Sequence, residues 1–212
     1  MDTFNAIYQR RAIKHFDPAH RFTPAEETKL LEAAIQAPTS FNIQHWRFVI
    51  VRDPAQRKKI RTEYGNDQAQ MTDASLLILM TADVKAWQKE PERYWRNAPQ
   101  DVADLLVNWM GPFHEGREWL QRDEAQRSIG MAMQNMMLAA RAMGYDSCPM
   151  IGFDIDKVAE LIKLPDDYVM GPMLAVGKKT KEVLPKPGQL PLSELVVEIL
   201  FNGVPCMVKP AF

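Results

Sequence analysis

The residue order predicts an α+β protein, a central mixed or antiparallel sheet flanked by helices. Three observations lead there. Capping residues mark helix starts. Apolar runs too short for helices fall between them. The two kinds of segment do not alternate as regular βαβ units, which argues against a doubly wound parallel sheet. No linker interrupts the 212 residues, so one domain is expected over 1–212. With 46 % apolar and 25 % charged residues the composition is ordinarily globular. A chain of this size buries roughly 70 % of its unfolded surface, enough to fold without a disulfide or structural metal.

The elements follow in order. Thr23-Pro24-Ala25-Glu26 is a capping box with proline at the first helical position, and Leu30, Leu31, Ala34 and Ile35 recur at helical spacing up to Pro38. Residues 47–52 are β-branched and aromatic, hence a strand. Asp53-Pro54 starts a second helix to about residue 64. The continuous apolar run 75–80 suits a strand buried on both faces. Residues 83–118 mix Trp87, Trp95, Trp109 and Phe113 with prolines and charges, and read as an excursion of short helices serving as a lid. A long helix is expected over 118–143, with Met133, Met136, Met137, Ala140 and Met143 on one core-packing face. Gly144 stops it. A short helix over 156–164, a buried strand over 173–176 and a last strand over 195–200 complete the map. Residues 185–212 form a C-terminal extension whose tail, 201–212, is unassigned.

Several functions are disfavoured. With 26 basic and 27 acidic residues there is no cationic excess for general nucleic-acid binding. Cys148 and Cys206 form neither a disulfide framework nor a metal-ligand spacing, and the four histidines are scattered. No basic and apolar leader and no bilayer-length apolar run is seen, so a cytoplasmic protein off the membrane is expected. G-x-G-x-x-G, the Walker loop, H-E-x-x-H and G-x-S-x-G are all missing. An enzyme built this way needs a bound cofactor for the hard chemistry.

Three clusters carry chemistry. Arg10-Arg11-Ala12-Ile13-Lys14 offers cations to a phosphate, or is simply a solvated basic helix end. Residues 37–46, APTSFNIQHW, are dense in hydroxyls and amides that suit the polar edge of a heterocycle, or else serve their own backbone. Residues 147–154, SCPMIGFD, hold a short extended piece between proline and glycine, where backbone N–H groups can approach a ligand or merely connect elements.

With Asp73-Ala74-Ser75 added, these segments resemble, in order and over nearly the whole chain, the nitroreductase family of FMN-dependent oxidoreductases. The resemblance implies a nitroreductase-like fold and a homodimer with non-covalent FMN at its interface. It places Arg10, assisted by Arg11, on the phosphate, and Lys14 at the N1/O2 edge of the ring. Pro38, Thr39, Ser40 and Asn42 come from the partner's copy of the loop. Pro149, Met150, Ile151 and Gly152 line one ring face, and Lys186 is a further phosphate ligand. Phe41, Trp109 and Phe113 are expected as the apolar substrate wall. There are departures. Ala12 stands where serine is usual, Ile151 where an acid is common and Gly188 where arginine is. An asparagine and a lysine on the pyrimidine edge align with Asp67 and Gln70, leaving Gln68 as substitute. The implied function is ping-pong hydride transfer from NADH or NADPH through FMN to nitroaromatics, quinones or similar flat acceptors. The alternatives are specialised flavin chemistry such as dehydrogenation, a non-catalytic FMN-binding protein, and a helical interaction protein without cofactor.

Overall fold

The computed structural model describes residues 1–199 and 205–207. The chain divides into two compact units, Met1–Glu182 and Val183–Phe212.

The first unit opens on α1 (Thr3–Gln9), where the Asp2 carboxylate accepts from the Asn5 amide at 3.0 Å. The capping box of α2 (Pro24–Ala34) is complete. Thr23 Oγ1 accepts from the Glu26 N–H at 3.2 Å, and the Glu26 carboxylate accepts from the Thr23 N–H at 2.9 Å. β1 spans Trp46–Ile50. Asp53 caps α3 (Pro54–Lys59) through the Ala55 N–H at 2.9 Å. The expected continuous helix to residue 64 instead widens into a π-turn over Ile60–Tyr64. The Arg61 carbonyl there takes the N–H of Asp67, at 3.0 Å, rather than an in-helix donor. After α4 (Gln70–Asp73) comes β2 (Leu76–Asp83), buried along its whole length as the apolar run requires.

The excursion begins with the expected short turns, Ala86–Gln88 and Pro91–Tyr94. It then departs from expectation in a single 15-residue helix, α5 (Gln100–His114). Pro112 is tolerated near its end, because only the bond from its own missing N–H is lost, and Glu115 still donates to Gly111 at 2.8 Å. α6 (Glu118–Ala142) matches the long helix read from the sequence. β3 (Asp146–Met150), α7 (Ile155–Leu161) and β4 (Tyr168–Gly177) complete the unit.

The sheet runs β1-β2-β4-β3 with every pair antiparallel. Alternate β2 residues Leu76, Ile78, Met80 and Ala82 meet Leu30 and Ala34 of α2 and Ile129, Ala132, Met136 and Ala140 of α6 in one core. Met133 and Met143 pack against that core. Each fully buried leucine, isoleucine or methionine among them contributes roughly 1.5–3 kcal/mol. β3 lies at an edge, the place where Pro149, lacking an N–H, costs least. On its outer side the chain after α1 adds one parallel bridge, Ala12 to Ser147, with the Ile13 N–H donating to the Ser147 carbonyl at 3.0 Å.

The second unit holds a turn of helix, α8 (Leu192–Leu195), and an antiparallel pair, β5 (Val197–Ile199) with β6 (Pro205–Met207). The expected strand 195–200 thus starts later, after a helical turn, and its last residue lies outside the described residues. So does most of the tail. Among the described residues no helix is long and apolar enough to cross a membrane.

Candidate active site

The sequence-derived site residues fall into two groups within one protomer. The first gathers at the β3 edge. The bridge to Ser147 delivers Arg10, Arg11 and Lys14 beside that strand. Arg11 turns back, donating to the carbonyls of Tyr8 at 2.7 Å and Arg10 at 3.0 Å, so its head is engaged in closing the helix end. The heads of Arg10 and Lys14 have no hydrogen bond or ion pair among the described residues. Beyond β3 the chain turns tightly, Phe153 N–H to the Ile151 carbonyl at 3.0 Å. This leaves Ile151 74 % exposed at the tip, an apolar side chain that nothing in the unit covers. Gln68 Nε2 donates to the Gly152 carbonyl at 2.7 Å, and the buried Gln70 donates to Gln68 Oε1 at 3.0 Å. A Cβ at Gly152 would sit 3.3 Å from Gln68 Nε2, a tight fit that the Gln68 side chain would have to relieve by a small shift. Asp67 is taken up by Arg61 at 2.7 Å. Burial pushes the thiol of Cys148 up, with the Lys14 charge and the Gln70 side chain opposing. Cys148 lies within the 147–154 cluster and Gln70 at a position aligned with a lysine, but the sequence marks neither as a support of this segment.

The second group gathers before β1. Phe41, Asn42 and Gln44 all take left-handed backbone, φ 50°, 55° and 52°. Thr39 Oγ1 accepts from the Gln44 N–H at 3.0 Å, so part of the hydroxyl density serves the loop itself. Asn42 Nδ2 donates to the Tyr94 carbonyl at 2.7 Å, pinning the loop to the excursion. Pro38 is exposed and Ser40 half-buried. Phe41 meets Phe113 with ring centroids 5.2 Å apart, and both meet His114, at 5.7 and 5.0 Å. Trp87 stacks on His114 at 5.6 Å. Trp109 stays outside this cluster, 58 % exposed on α5. His114 is fully buried. Its Nδ1 donates to the Met110 carbonyl at 2.8 Å and its Nε2 has no partner. His45, 1 % exposed, donates from Nδ1 to Ser128, whose hydroxyl is spent on the Glu124 carbonyl. Burial, with His114 and Arg47 adding, holds His45 down at about 4. His45 falls inside the 37–46 cluster without a role read for it there, and no sequence pattern marks His114.

The two groups lie by opposite edges of one sheet, β3 and β1, roughly 14 Å apart at ordinary strand spacing. Lys186 belongs to the second unit and is described apart from both.

The four-stranded antiparallel sheet packed against the long helix α6 is a nitroreductase fold. A model of the nitroreductase family matches residues 7–178, and the chain belongs to that family. It is 68 % identical to Protein DrgA of Synechocystis over 92 % of this chain and 95 % of that one. It is 29 % identical, over 90 % and 95 %, to MhqN of Bacillus subtilis, whose name assigns it provisionally to the NAD(P)H nitroreductases. A nitroreductase-type protein of Exiguobacterium sibiricum solved in complex with FMN superposes with a TM-score of 0.85 at 27 % identity, covering 92 % of this chain and 96 % of that one.

Proposed function

We propose that the protein is a homodimeric, cytoplasmic FMN oxidoreductase that takes hydride from NADH or NADPH and reduces nitroaromatics, quinones or similar flat acceptors. One observation carries this reading: the bridge from Ala12 to Ser147 sets two unengaged cations, Arg10 and Lys14, beside the strand that runs into Pro149–Gly152. A phosphate and an electron-accepting ring need that donor set.

The residues present fit FMN. Arg10 would hold the phosphate, while Arg11 fixes the arm. Lys14 would place a positive charge where reduction builds negative charge, which stabilises the reduced form. The backbone of Pro149–Gly152 would face the ring, with Gln68 orienting the Gly152 peptide. Pro38, Thr39, Ser40 and Asn42 of a second protomer would close the other side, since one protomer holds the two groups at separate sheet edges. Phe41 and Phe113 would exclude water and favour flat acceptors, because offset stacking adds roughly 0.5–1.5 kcal/mol beyond area burial. FMN, when bound, supplies the two-electron chemistry that no side chain here offers.

The test is direct. Flavin released by heat from the purified protein should chromatograph as FMN, and anaerobic NADH or NADPH should bleach the bound flavin within the time of mixing. Subsequent addition of a quinone or nitroaromatic should restore the colour. A yellow protein that neither nicotinamide bleaches is a flavin carrier, and a colourless one that binds no added FMN has lost the reading altogether.

A further inference from the structure

Beside the second residue group lies a cavity of about 310 Å³, bounded by Asn42 and Gln44 of the loop and by Arg93, Tyr94, Arg96 and Asn97 of the excursion. No carboxylate lines it. Arg93 donates to the Tyr94 hydroxyl at 2.7 Å, and its nearest acid, the largely solvated Glu90, is 4.0 Å away. The side chain of Arg96 has no hydrogen bond or ion pair among the described residues. Two guanidinium groups therefore share a polar hollow with little to neutralise them, and planar guanidinium forks match phosphate oxygens.

The hollow is also held in shape. Tyr94 and Trp95 pack on the small core of Ile43, Ala86 and Met110, and the bond from Asn42 to the Tyr94 carbonyl ties the arginine segment to the loop. A second cavity of about 570 Å³ shares Arg93, Trp95 and Arg96 with the first and is lined also by the carboxylates of Glu92 and Asp104, so it suits the uncharged parts of a ligand and the first hollow its phosphates. Phe41, next in sequence to Asn42, leads from the hollow to the aromatic cluster with Phe113.

We propose that this hollow binds the phosphate groups of the nicotinamide dinucleotide, with Arg93 and Arg96 as their partners. The proposal rests on the reading above that a nicotinamide dinucleotide is the hydride donor. The dinucleotide would lie with its reactive end towards Phe41 and its phosphates between the loop and the 93–98 segment. Specificity for the intact dinucleotide then belongs to the excursion, while the reactive ring needs only the flat wall.

The experiment compares NADPH and NADH with dihydronicotinamide riboside, a donor that has the same ring and no phosphate, on one holoprotein preparation. In R96Q the ratio of kcat/KM for NADPH to that for the riboside should fall about tenfold, and further in the R93Q/R96Q double variant, the loss of charge-assisted hydrogen bonds. Calorimetric titration of NADP⁺ into the holoprotein should weaken by the same factor. The KM for NADPH should also rise less steeply with NaCl in the variants than in the parent. An unchanged ratio, or an equal fall for all donors, overturns the assignment of the arginines while leaving the donor reading intact. A parent holoprotein that none of the three donors bleaches overturns the donor reading, and this proposal with it.

Discussion

His45 shows how much a single buried side chain sets the response to acid. Its ring is 1 % exposed and hydrogen-bonded through Nδ1 to Ser128, and burial keeps it neutral down to about pH 4. In the unfolded chain the same ring takes up a proton near 6.5. Stability is therefore full above that pH, and is lost as the pH falls from 6.5 towards 4, by up to roughly 3 kcal/mol. His114, also lowered by burial, acts in the same direction. The hydrogen bonds of Glu26 from Tyr145 and Thr23 hold its carboxyl down at about 2, so its contribution disappears only in a lower window, from about 4.5 downward. Urea midpoints measured at pH 7, 5.5 and 4.5 should decline steadily in the parent and clearly less in His45→Gln. An identical decline in the two proteins would remove His45 from the explanation.

Among the elements, β4 has little room for added volume. A Cβ at Gly171 would lie 2.9 Å from Ile129 of α6 and 3.0 Å from the Met80 carbonyl of β2, near the register shift between Leu79 and Thr81. Gly171→Ala should thus cost about 1–3 kcal/mol by overpacking, and chemical denaturation should show a lower midpoint at unchanged slope. A neutral result would mean that Ile129 can withdraw. The elements also separate what a sequence shows from what it hides. The start of α2 was legible because Thr23 and Glu26 meet within one turn. The strand character of β3 was not, because Asp146-Ser147-Cys148-Pro149-Met150 has neither β-branched residues nor alternation, and only pairing with β4 makes it a strand. The π-turn at Ile60–Tyr64 and the unbroken α5 around Pro112 likewise depend on distant partners.

For the whole molecule, the motifs picked out the residues of the proposed site but not how the fold distributes them. Strand order is set by long-range pairing, and it alone sends the cationic arm to the β3 edge and the loop to the β1 edge. Arg11 illustrates the same limit at smaller range: its motif suggests an assistant to Arg10, and nothing in the motif shows that Nη1 also donates to the carbonyls of Tyr8 and Arg10. The proposed homodimer would bring the two separated groups together and would offer cover to exposed apolar residues on α1 (Phe4, 69 %, and Tyr8, 66 %) and to Trp119 at 64 % on α6. Such interfaces usually bury more than about 2,000 Å². Sedimentation of the holoprotein at micromolar concentration should give a species of twice the chain mass of 24.3 kDa. A yellow, reducible monomer would show that one protomer completes the site by itself.

The three left-handed residues at 41, 42 and 44 carry a cost of roughly 1 kcal/mol or more where the side chain is as bulky as Phe41. Selection for heat resistance alone would therefore be drawn to this loop. Glycine at position 41 relieves the torsion at once, and such a screen would score it as an improvement while the ring that meets Phe113 is discarded. A laboratory lineage bred for endurance would erase the Phe41–Phe113 contact, so any thermostabilising campaign on this protein should hold the loop constant and look for its gains elsewhere.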